Sequence, residues 1–187
     1  MQTAIPQSSS RLKSIGYSLF FAALTALGAW IEIPLYPVPV TMQTFVVLLS
    51  GALLGAQWGA ASQAAYLVGG LFLPIYAGGA MGASVLFGAT GGYLLSFPLG
   101  AFLSGLALRS VTIETPLYAV VARVFAASLV ILLSGAVWLK IALNLSVVET
   151  VMMGFAPFIL GDLVKCAMVG LAVKADRWVS THKPNLS

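Results

Sequence analysis

Six apolar segments, each with few charged residues, constrain the fold of this chain most strongly. A helix that crosses a bilayer needs about 20 predominantly apolar residues, because its backbone polar groups must be hydrogen-bonded within the segment. Charged residues make up only 7% of the chain, whereas a typical soluble domain has about 25%. We therefore predict an all-α integral membrane protein, a compact bundle of six transmembrane helices at residues 13–31, 42–56, 58–76, 91–109, 117–139 and 155–175.

The basic residues predict the orientation of this bundle, because Lys and Arg concentrate on the cytoplasmic side of membrane proteins. One domain, residues 13–176, lies between a tail at residues 1–12 and a tail at residues 177–187. On the opposite side, the loops carry Lys140 with Glu32 and Glu149. We expect both termini to be cytoplasmic, since most basic residues lie on their side: Arg11, Lys13, Arg109, Lys174, Arg177 and Lys183.

The net charge of +4 comes from these flanking residues and does not indicate nucleic-acid binding. Nucleic-acid-binding proteins concentrate Lys and Arg on one face or along one helix, often near aromatic residues. The chain has no such basic stripe.

Two ionisable residues, Asp162 and Lys165, interrupt the otherwise uncharged segment 154–173. A charged side chain at the centre of a bilayer costs about 2.5–3.5 kcal/mol on insertion scales, so it usually faces protein or a polar cavity. A spacing of three residues puts both side chains on one helical face. We interpret the pair as a polar functional site inside the bundle. The alternative is a buried ion pair that only fixes the helix register.

A proline-rich connection, residues 31–44, follows the first predicted helix. Pro37 and Pro39 fix their own φ angles and push the preceding residues towards extended conformations, which excludes a helix there. Thr41 is predicted to cap the next helix, with Gln43 in its first turn. The segment is either a stiff lid that offers the Gln43 amide to a ligand or a rigid turn with Gln43 at the membrane interface, and the pattern leaves both open.

A glycine-rich connection, residues 76–94, precedes the fourth predicted helix. Its glycine density opposes regular helix. Apolar residues between the glycines favour a re-entrant-like loop that dips into the bundle, since irregular backbone at membrane depth must be covered by protein or line a cavity. A flexible surface loop is the alternative. A re-entrant-like loop would bring the backbone close to a ligand at its glycines, which are Gly78, Gly79, Gly82, Gly88, Gly91 and Gly92.

Catalytic and metal-binding motifs are missing from the sequence. His182 is the single histidine, and neither a Walker A motif nor HExxH occurs, so we predict no ATPase site, no metal site and no cofactor. An enzyme would have to use Asp162 and Lys165 as its acid–base pair. Ala22 and Ala26 form a small-xxx-small pattern on the first helix, which serves either internal packing or a partner surface.

Three segments, in this order, are similar to the motifs of one family. Residues 33–44, IPLYPVPVTMQT, resemble its PVPVTxQT signature. Residues 71–82 followed by 88–97 resemble its glycine-rich segment, which commonly ends GPTGGYLxGF. Residues 157–165, PFILGDLVK, resemble its last-helix motif PFxxGDxxK. By these motifs the chain resembles the BioY family, the biotin-specific S-components of energy-coupling factor (ECF) transporters.

The resemblance implies a subunit without its own ATPase site, which captures biotin outside a bacterial cell membrane with high affinity. A transmembrane coupling subunit and two ATPase subunits would energise it. Ala89 and Ser96 depart from the family pattern, which commonly has proline and glycine at these positions. The alternatives are an S-component for another vitamin, a small intramembrane enzyme that uses Asp162 and Lys165, and a purely structural subunit.

The resemblance also implies roles for individual residues. Lys165 is a candidate partner for the carboxylate of biotin, and Asp162 a candidate acceptor for a ureido N–H or a group that orients the lysine; which end of biotin meets Lys165 is left open. Ala22 and Ala26 are expected to dock the coupling subunit. The remaining predicted contacts to biotin are the glycine-loop backbone, the polar groups of the lid and one aromatic ring: Gly79, Gly82, Thr41, Gln43 and Tyr93.

Overall fold

The computed structural model describes residues 7–182 and the side chains of residues 11–182. Lys183 and the outer parts of both predicted tails lie outside the described residues. The eight α-helices in the described range are α1 (Gln7–Trp30), α2 (Gln43–Leu54), α3 (Ala56–Gly70), α4 (Ala83–Phe87), α5 (Gly91–Leu108), α6 (Leu117–Leu143), α7 (Val147–Gly154) and α8 (Ala156–Thr181). The short elements are strands β1 (Glu32–Ile33) and β2 (Val40–Thr41) and a 3₁₀ turn at Ala77–Gly79.

A helix lies at each of the six predicted segments, although several bounds differ. Helix α1 begins within the predicted N-terminal tail, and α8 continues to Thr181 in the predicted C-terminal tail. Four helical stretches of the described range are long and apolar enough to cross a membrane, namely Arg11–Trp30, Gly91–Leu108, Leu117–Leu143 and Val147–Thr181. Helices α2 and α3 have 12 and 15 residues, or about 18 and 22 Å at 1.5 Å per residue, so each is shorter than a typical spanning helix.

The surface of the bundle supports a membrane environment. Large apolar side chains are exposed along the outer faces of the longest helices, where an aqueous environment would oppose them. These side chains suit the apolar interior of a bilayer. The backbone polar groups also suit it, because they are hydrogen-bonded within each helix. These exposed residues include Leu19, Phe20 and Leu27 on α1, Leu133, Val137 and Ile141 on α6, and Leu160, Val164 and Leu171 on α8.

Helix α5 lies at the centre of the bundle, where it packs against α2, α3 and α6. Its approach to α2 depends on Gly51, since a Cβ atom there would lie 1.9 Å from the carbonyl oxygen of Ala101. Helix α8 packs against α2 and α6, while α1 packs against α2 and α3. The proline-rich and glycine-rich connections both lie at the end of the bundle where α2 and α5 begin.

The proline-rich connection corrects the all-α prediction in one detail. Strands β1 and β2 pair antiparallel, with Glu32 opposite Thr41 and Ile33 opposite Val40. The chain therefore reverses direction across its prolines and forms a small hairpin. The helix cap also differs by one residue, because Met42 is the N-cap of α2 while Thr41 belongs to β2.

The glycine-rich connection is irregular, with the 3₁₀ turn and the short helix α4 within it. Gly78, Gly79 and Gly82 have φ angles of 66°, 70° and 92°. These left-handed conformations are readily adopted by glycine and rarely by other residues. The glycines therefore shape the path of this segment.

Candidate functional site

A cavity of about 190 Å³ lies at the end of the bundle that carries both irregular connections. The hairpin contributes Val38, Pro39 and Thr41 to its lining, and the first turn of α2 contributes Gln43 and Thr44. The remaining lining comes from the glycine-rich segment and from α5, α6 and α8. The two connections that the sequence singles out therefore meet over one cavity.

Asp162 and Lys165 lie in the wall of this cavity, on one face of α8. Lys165 Nζ is 3.1 Å from Asp162 Oδ1, as the spacing of three residues predicts. Both residues are buried, with 1% of Asp162 and 6% of Lys165 exposed. Among the described residues, Asp162 and Lys165 are the only charged residues in the cavity lining. The ion pair in the wall therefore has no net charge.

Two hydroxyl groups from neighbouring helices complete the surroundings of this pair. Thr44 on α2 accepts a hydrogen bond from Lys165 Nζ at 2.8 Å and donates one to Asp162 Oδ1 at 3.3 Å. Ser128 on α6 donates to Asp162 Oδ2 at 2.5 Å. Good geometry and added hydrogen bonds are what a buried ion pair needs to offset its desolvation.

The pair still has hydrogen-bonding capacity that the described protein does not use. An ammonium group carries three N–H donors, and two of those on Lys165 have protein partners. A carboxylate offers about four acceptor positions, and three of those on Asp162 receive a hydrogen bond. At least one donor and one acceptor therefore remain for a ligand.

Gln43 adds an amide group to the cavity wall and is itself 4% exposed. Its Oε1 accepts a hydrogen bond from Thr41 Oγ1 at 2.9 Å, and its Nε2 donates to the hydroxyl of Tyr66 at 2.5 Å. Thr41 also accepts the backbone N–H of Gln43 at 3.3 Å. Both predicted polar groups of the lid therefore lie at the cavity and touch each other.

Aromatic side chains form much of the apolar lining. Tyr93 and Phe97 come from α5, Tyr76 from the glycine-rich segment and Phe158 from α8. The rings of Tyr93 and Phe158 lie 5.8 Å apart, and the Tyr93 hydroxyl donates to the carbonyl oxygen of Gly154. These rings give the cavity an apolar body beside the polar pair, which is a common composition of small-molecule sites.

The predicted backbone contacts at Gly79 and Gly82 are not part of the cavity lining. The same segment lines the cavity with Ala77 and Ala80 instead. Glycine density indicates unusual backbone geometry, but it does not distinguish a turn from a ligand contact. Both glycines have positive φ angles, which is sufficient reason for glycine at these positions, and their contact with a ligand stays a prediction.

Ala22 and Ala26 lie elsewhere, in an apolar groove between α1 and α3. Both are partly buried, and the groove also contains Trp30, Ala65 and Gly69. Small residues on both helices allow the close approach that the alanine spacing predicts.

Sequence reasoning did not find Thr44 or Ser128. Thr44 lies within the TMQT motif, beside Gln43, so its position was a usable signal. Ser128 is a single hydroxyl in a long apolar helix, and only the packing of α6 against α8 brings it to Asp162. In the described residues no group of three or more His, Cys, Asp or Glu side chains could hold a metal ion.

Comparisons with known proteins agree on one family. The model of the BioY family matches residues 1–181. The chain is 39% identical over 152 residues to the biotin transporter BioY of Thermotoga maritima, which covers 81% of this chain and 88% of that protein. It is 35% identical over 158 residues to a probable biotin transporter BioY of Pyrococcus horikoshii, with 84% of this chain and 91% of that protein covered.

A solved structure is similar over nearly the whole chain. It is described as the S-component for biotin from an ECF-type ABC transporter, determined at 2.1 Å. The TM-score is 0.82 at 26% sequence identity, and the match covers 94% of this chain and 95% of the other.

Proposed function

This chain belongs to the BioY family, and on that premise we propose that it is the biotin-capturing subunit of an ECF-type vitamin transporter. The observation that carries the proposal is the cavity, whose wall holds a neutral ion pair with unused hydrogen-bonding capacity beside an aromatic lining. The two relatives compared above are named as transporters of biotin. The chain is accordingly a transporter subunit and not an enzyme.

The chemistry of biotin fits this cavity. Biotin has an apolar valeryl arm that ends in a carboxylate, a thioether ring, and a ureido group with two N–H donors and a carbonyl acceptor. The ureido group can accept from the free N–H of Lys165 and donate to Asp162. The aromatic wall suits the fused rings and the arm.

Charge balance supports one of the two ends of biotin at the ion pair. A carboxylate at Lys165 would compete with Asp162, 3.1 Å away, and would bring an uncompensated negative charge into a buried site. The ureido group is neutral and carries both a donor and an acceptor, so it satisfies both members of the pair. Of the two ends that the sequence left open for Lys165, we therefore favour the ureido ring at the pair over the carboxylate.

The membrane arrangement and the partners are also proposals. The helices α1, α2, α3, α5, α6 and α8 cross the membrane of a bacterial cell, with both termini in the cytoplasm. The crossing domain is residues 13–176 and the tails are residues 1–12 and 177–187.

A transmembrane coupling subunit docks in the groove at Ala22 and Ala26, and two ATPase subunits supply the energy. The transported ligand is biotin, and we expect no cofactor.

Equilibrium binding of radiolabelled biotin to the purified chain in detergent tests this function. We expect saturable binding that falls at least about 30-fold in Asp162→Asn and in Lys165→Ala, because removing one member of a buried, hydrogen-bonded charge pair at a binding site costs about 2–5 kcal/mol of affinity. The matched controls are Asp176→Asn and Lys140→Ala, which change exposed residues outside the cavity lining and should bind like the wild type.

Competition with analogues tests the orientation in the same assay. Biotin amides should compete nearly as well as biotin, and an analogue whose ureido ring has been opened should not. The reverse order would put the carboxylate at Lys165. A folded wild-type chain that binds another vitamin but not biotin would overturn the proposed ligand, and chemical conversion of a bound ligand would indicate an enzyme.

A further inference from the structure

The phenolic hydroxyl of Tyr66 lies immediately behind the cavity wall, on α3. Tyr66 is 1% exposed and does not line the cavity itself. We propose that Tyr66 is a positioning residue that fixes the side-chain amide of Gln43, so that the amide keeps one N–H donor free for the ligand. This inference rests on the proposed function for the identity of that ligand, but its geometric basis is independent of it.

The ring of Tyr66 is held by two residues of the cavity wall. It lies edge-on to Tyr76, with ring centroids 5.6 Å apart at 83°, and stacks on Phe97 at 6.4 Å and 24°. Both of these rings line the cavity. Aromatic contacts of this kind restrict the ring to one position, so the place of its hydroxyl group is restricted too.

The direction of the hydrogen bond between Tyr66 and Gln43 follows by elimination. The Tyr66 hydroxyl lies 3.1 Å from the carbonyl oxygen of Ile75, which can only accept a hydrogen bond. The single proton of the hydroxyl is therefore committed to Ile75. Towards Gln43 the hydroxyl can only accept, so the amide must present its Nε2 to Tyr66.

Thr41 is compatible with the same orientation from the other side. Its hydroxyl accepts the backbone N–H of Gln43 at 3.3 Å and donates to Gln43 Oε1 at 2.9 Å. The Thr41 hydroxyl can accept as well as donate, so the orientation is decided at Tyr66, where a flipped amide would set two acceptors against each other.

The side-chain amide of Gln43, once its orientation is fixed, has one hydrogen-bond donor left. One N–H of Nε2 bonds to Tyr66, so the second N–H is the donor that no described protein group uses. Gln43 therefore selects ligands that bring an acceptor to this part of the cavity wall. The anchor carbonyl of Ile75 adjoins the glycine-rich segment at Tyr76, so the orientation of the amide depends on how that segment is seated.

A spectroscopic experiment without ligand tests the positioning directly. The chain has five glutamines, so ¹⁵N-glutamine labelling gives a small set of side-chain amide signals, and Gln43→Ala identifies those of Gln43. In the wild type we expect one Gln43 Nε2 proton to exchange slowly with water. Tyr66→Phe keeps the ring and removes the hydroxyl, and should accelerate that exchange at least about tenfold. Unchanged exchange in Tyr66→Phe would overturn the proposal.

Biotin binding to the same variants measures the consequence. Tyr66→Phe should weaken binding about tenfold, as expected for one lost hydrogen bond, but less than about twofold in a Gln43→Ala background. The control is Ser104→Ala, which removes a comparable buried hydroxyl-to-carbonyl bond, to Leu48, outside the cavity. Its effect should be equal in both backgrounds and should leave the Gln43 amide signals unchanged.

The outcomes separate the two proposals. Equal losses from Tyr66→Phe in both backgrounds would mean that Tyr66 acts through packing, which overturns the positioning role. If the wild-type chain fails to bind biotin, the proposed function fails, while the amide exchange measured without ligand still decides the role of Tyr66.

Discussion

Two buried polar clusters lie in this apolar bundle, and they use their hydrogen-bonding groups differently. The cavity cluster consists of Thr44, Ser128, Asp162 and Lys165. The interhelical cluster consists of Thr25 on α1, Ser50 on α2, and Ser62 and Gln63 on α3, all fully buried. Both clusters join three helices and both are largely buried, with only Thr44 partly exposed, so the number of helices they join does not distinguish them.

The interhelical cluster leaves no donor unused. Gln63 accepts from Thr25 at 3.2 Å and donates both N–H groups, to Ser50 at 3.1 Å and to Ser62 at 3.0 Å. Ser50 and Ser62 each donate their own proton to a carbonyl oxygen of their helix, and Thr25 shares its single proton between Gln63 Oε1 and the carbonyl oxygen of Phe21. No described pocket includes any of the four residues. This cluster therefore binds helices to each other, as polar residues commonly do in membranes.

The cavity cluster keeps a donor on Lys165 and an acceptor on Asp162 beside open volume. If the proposed function holds, the comparison shows that a buried polar group in a membrane bundle indicates a ligand site when it has unused hydrogen-bonding capacity and faces a cavity. Charge alone is a weaker criterion, since a fully bonded ion pair would resemble the interhelical cluster.

The largest expected effect comes from replacing the ion pair as a unit, with Asp162→Leu and Lys165→Met together. Biotin binding should be lost, because the only charged groups in the described cavity lining are gone. The free energy of unfolding should stay within about 1 kcal/mol of the wild-type value or rise, since apolar replacement of a buried pair is often neutral or stabilising. Denaturation in detergent and biotin binding measure the two quantities.

Lys165→Ala alone is the comparison for this double variant. It leaves the carboxylate of Asp162 buried without its cation and should lower the free energy of unfolding by about 3–5 kcal/mol. Retained biotin binding in the double variant would show that the pair serves only the helix register.

A smaller effect is expected from Thr44→Val, which removes the hydroxyl that touches both members of the pair. Without this hydroxyl we expect the pair to shift and to lose about one hydrogen bond to the ligand, worth about 1–1.5 kcal/mol, so biotin affinity should fall about tenfold. Thr44→Ser restores the hydroxyl without the methyl group and should recover most of the affinity. If the serine variant binds as weakly as the valine variant, Thr44 contributes packing and not hydrogen bonds.

The sequence predicted the parts of this arrangement that depend on local periodicity. Apolar length located helical segments, and the spacing of three residues put Asp162 beside Lys165. The PVPVTMQT segment predicted a non-helical connection next to Gln43. The helix α7 was missed although Ser146 and Glu149 form a capping box, a pattern that is readable in sequence.

The parts that the sequence did not predict depend on tertiary packing. Ser128 meets Asp162 only because α6 lies against α8. Tyr66 carries no local signal, since a tyrosine in an apolar helix is most often an ordinary core residue. Gly79 and Gly82 had a signal that fits both a turn and a ligand contact; the structure gives them positive φ angles and places them outside the cavity lining, and their contact with a ligand stays a prediction.

The smallest expected effect on binding belongs to the interhelical cluster. Gln63→Met keeps the length of the side chain and removes all three hydrogen bonds of the amide. Interhelical hydrogen bonds in membranes average about 0.6 kcal/mol, and the hydroxyls of Thr25, Ser50 and Ser62 keep their bonds to backbone carbonyls. The free energy of unfolding should therefore fall by only about 1–2 kcal/mol, while biotin affinity changes less than about twofold. Denaturation and biotin binding of the same sample measure both, and a loss of affinity larger than that of Thr44→Val would show that the two clusters are coupled, contrary to the distinction between them.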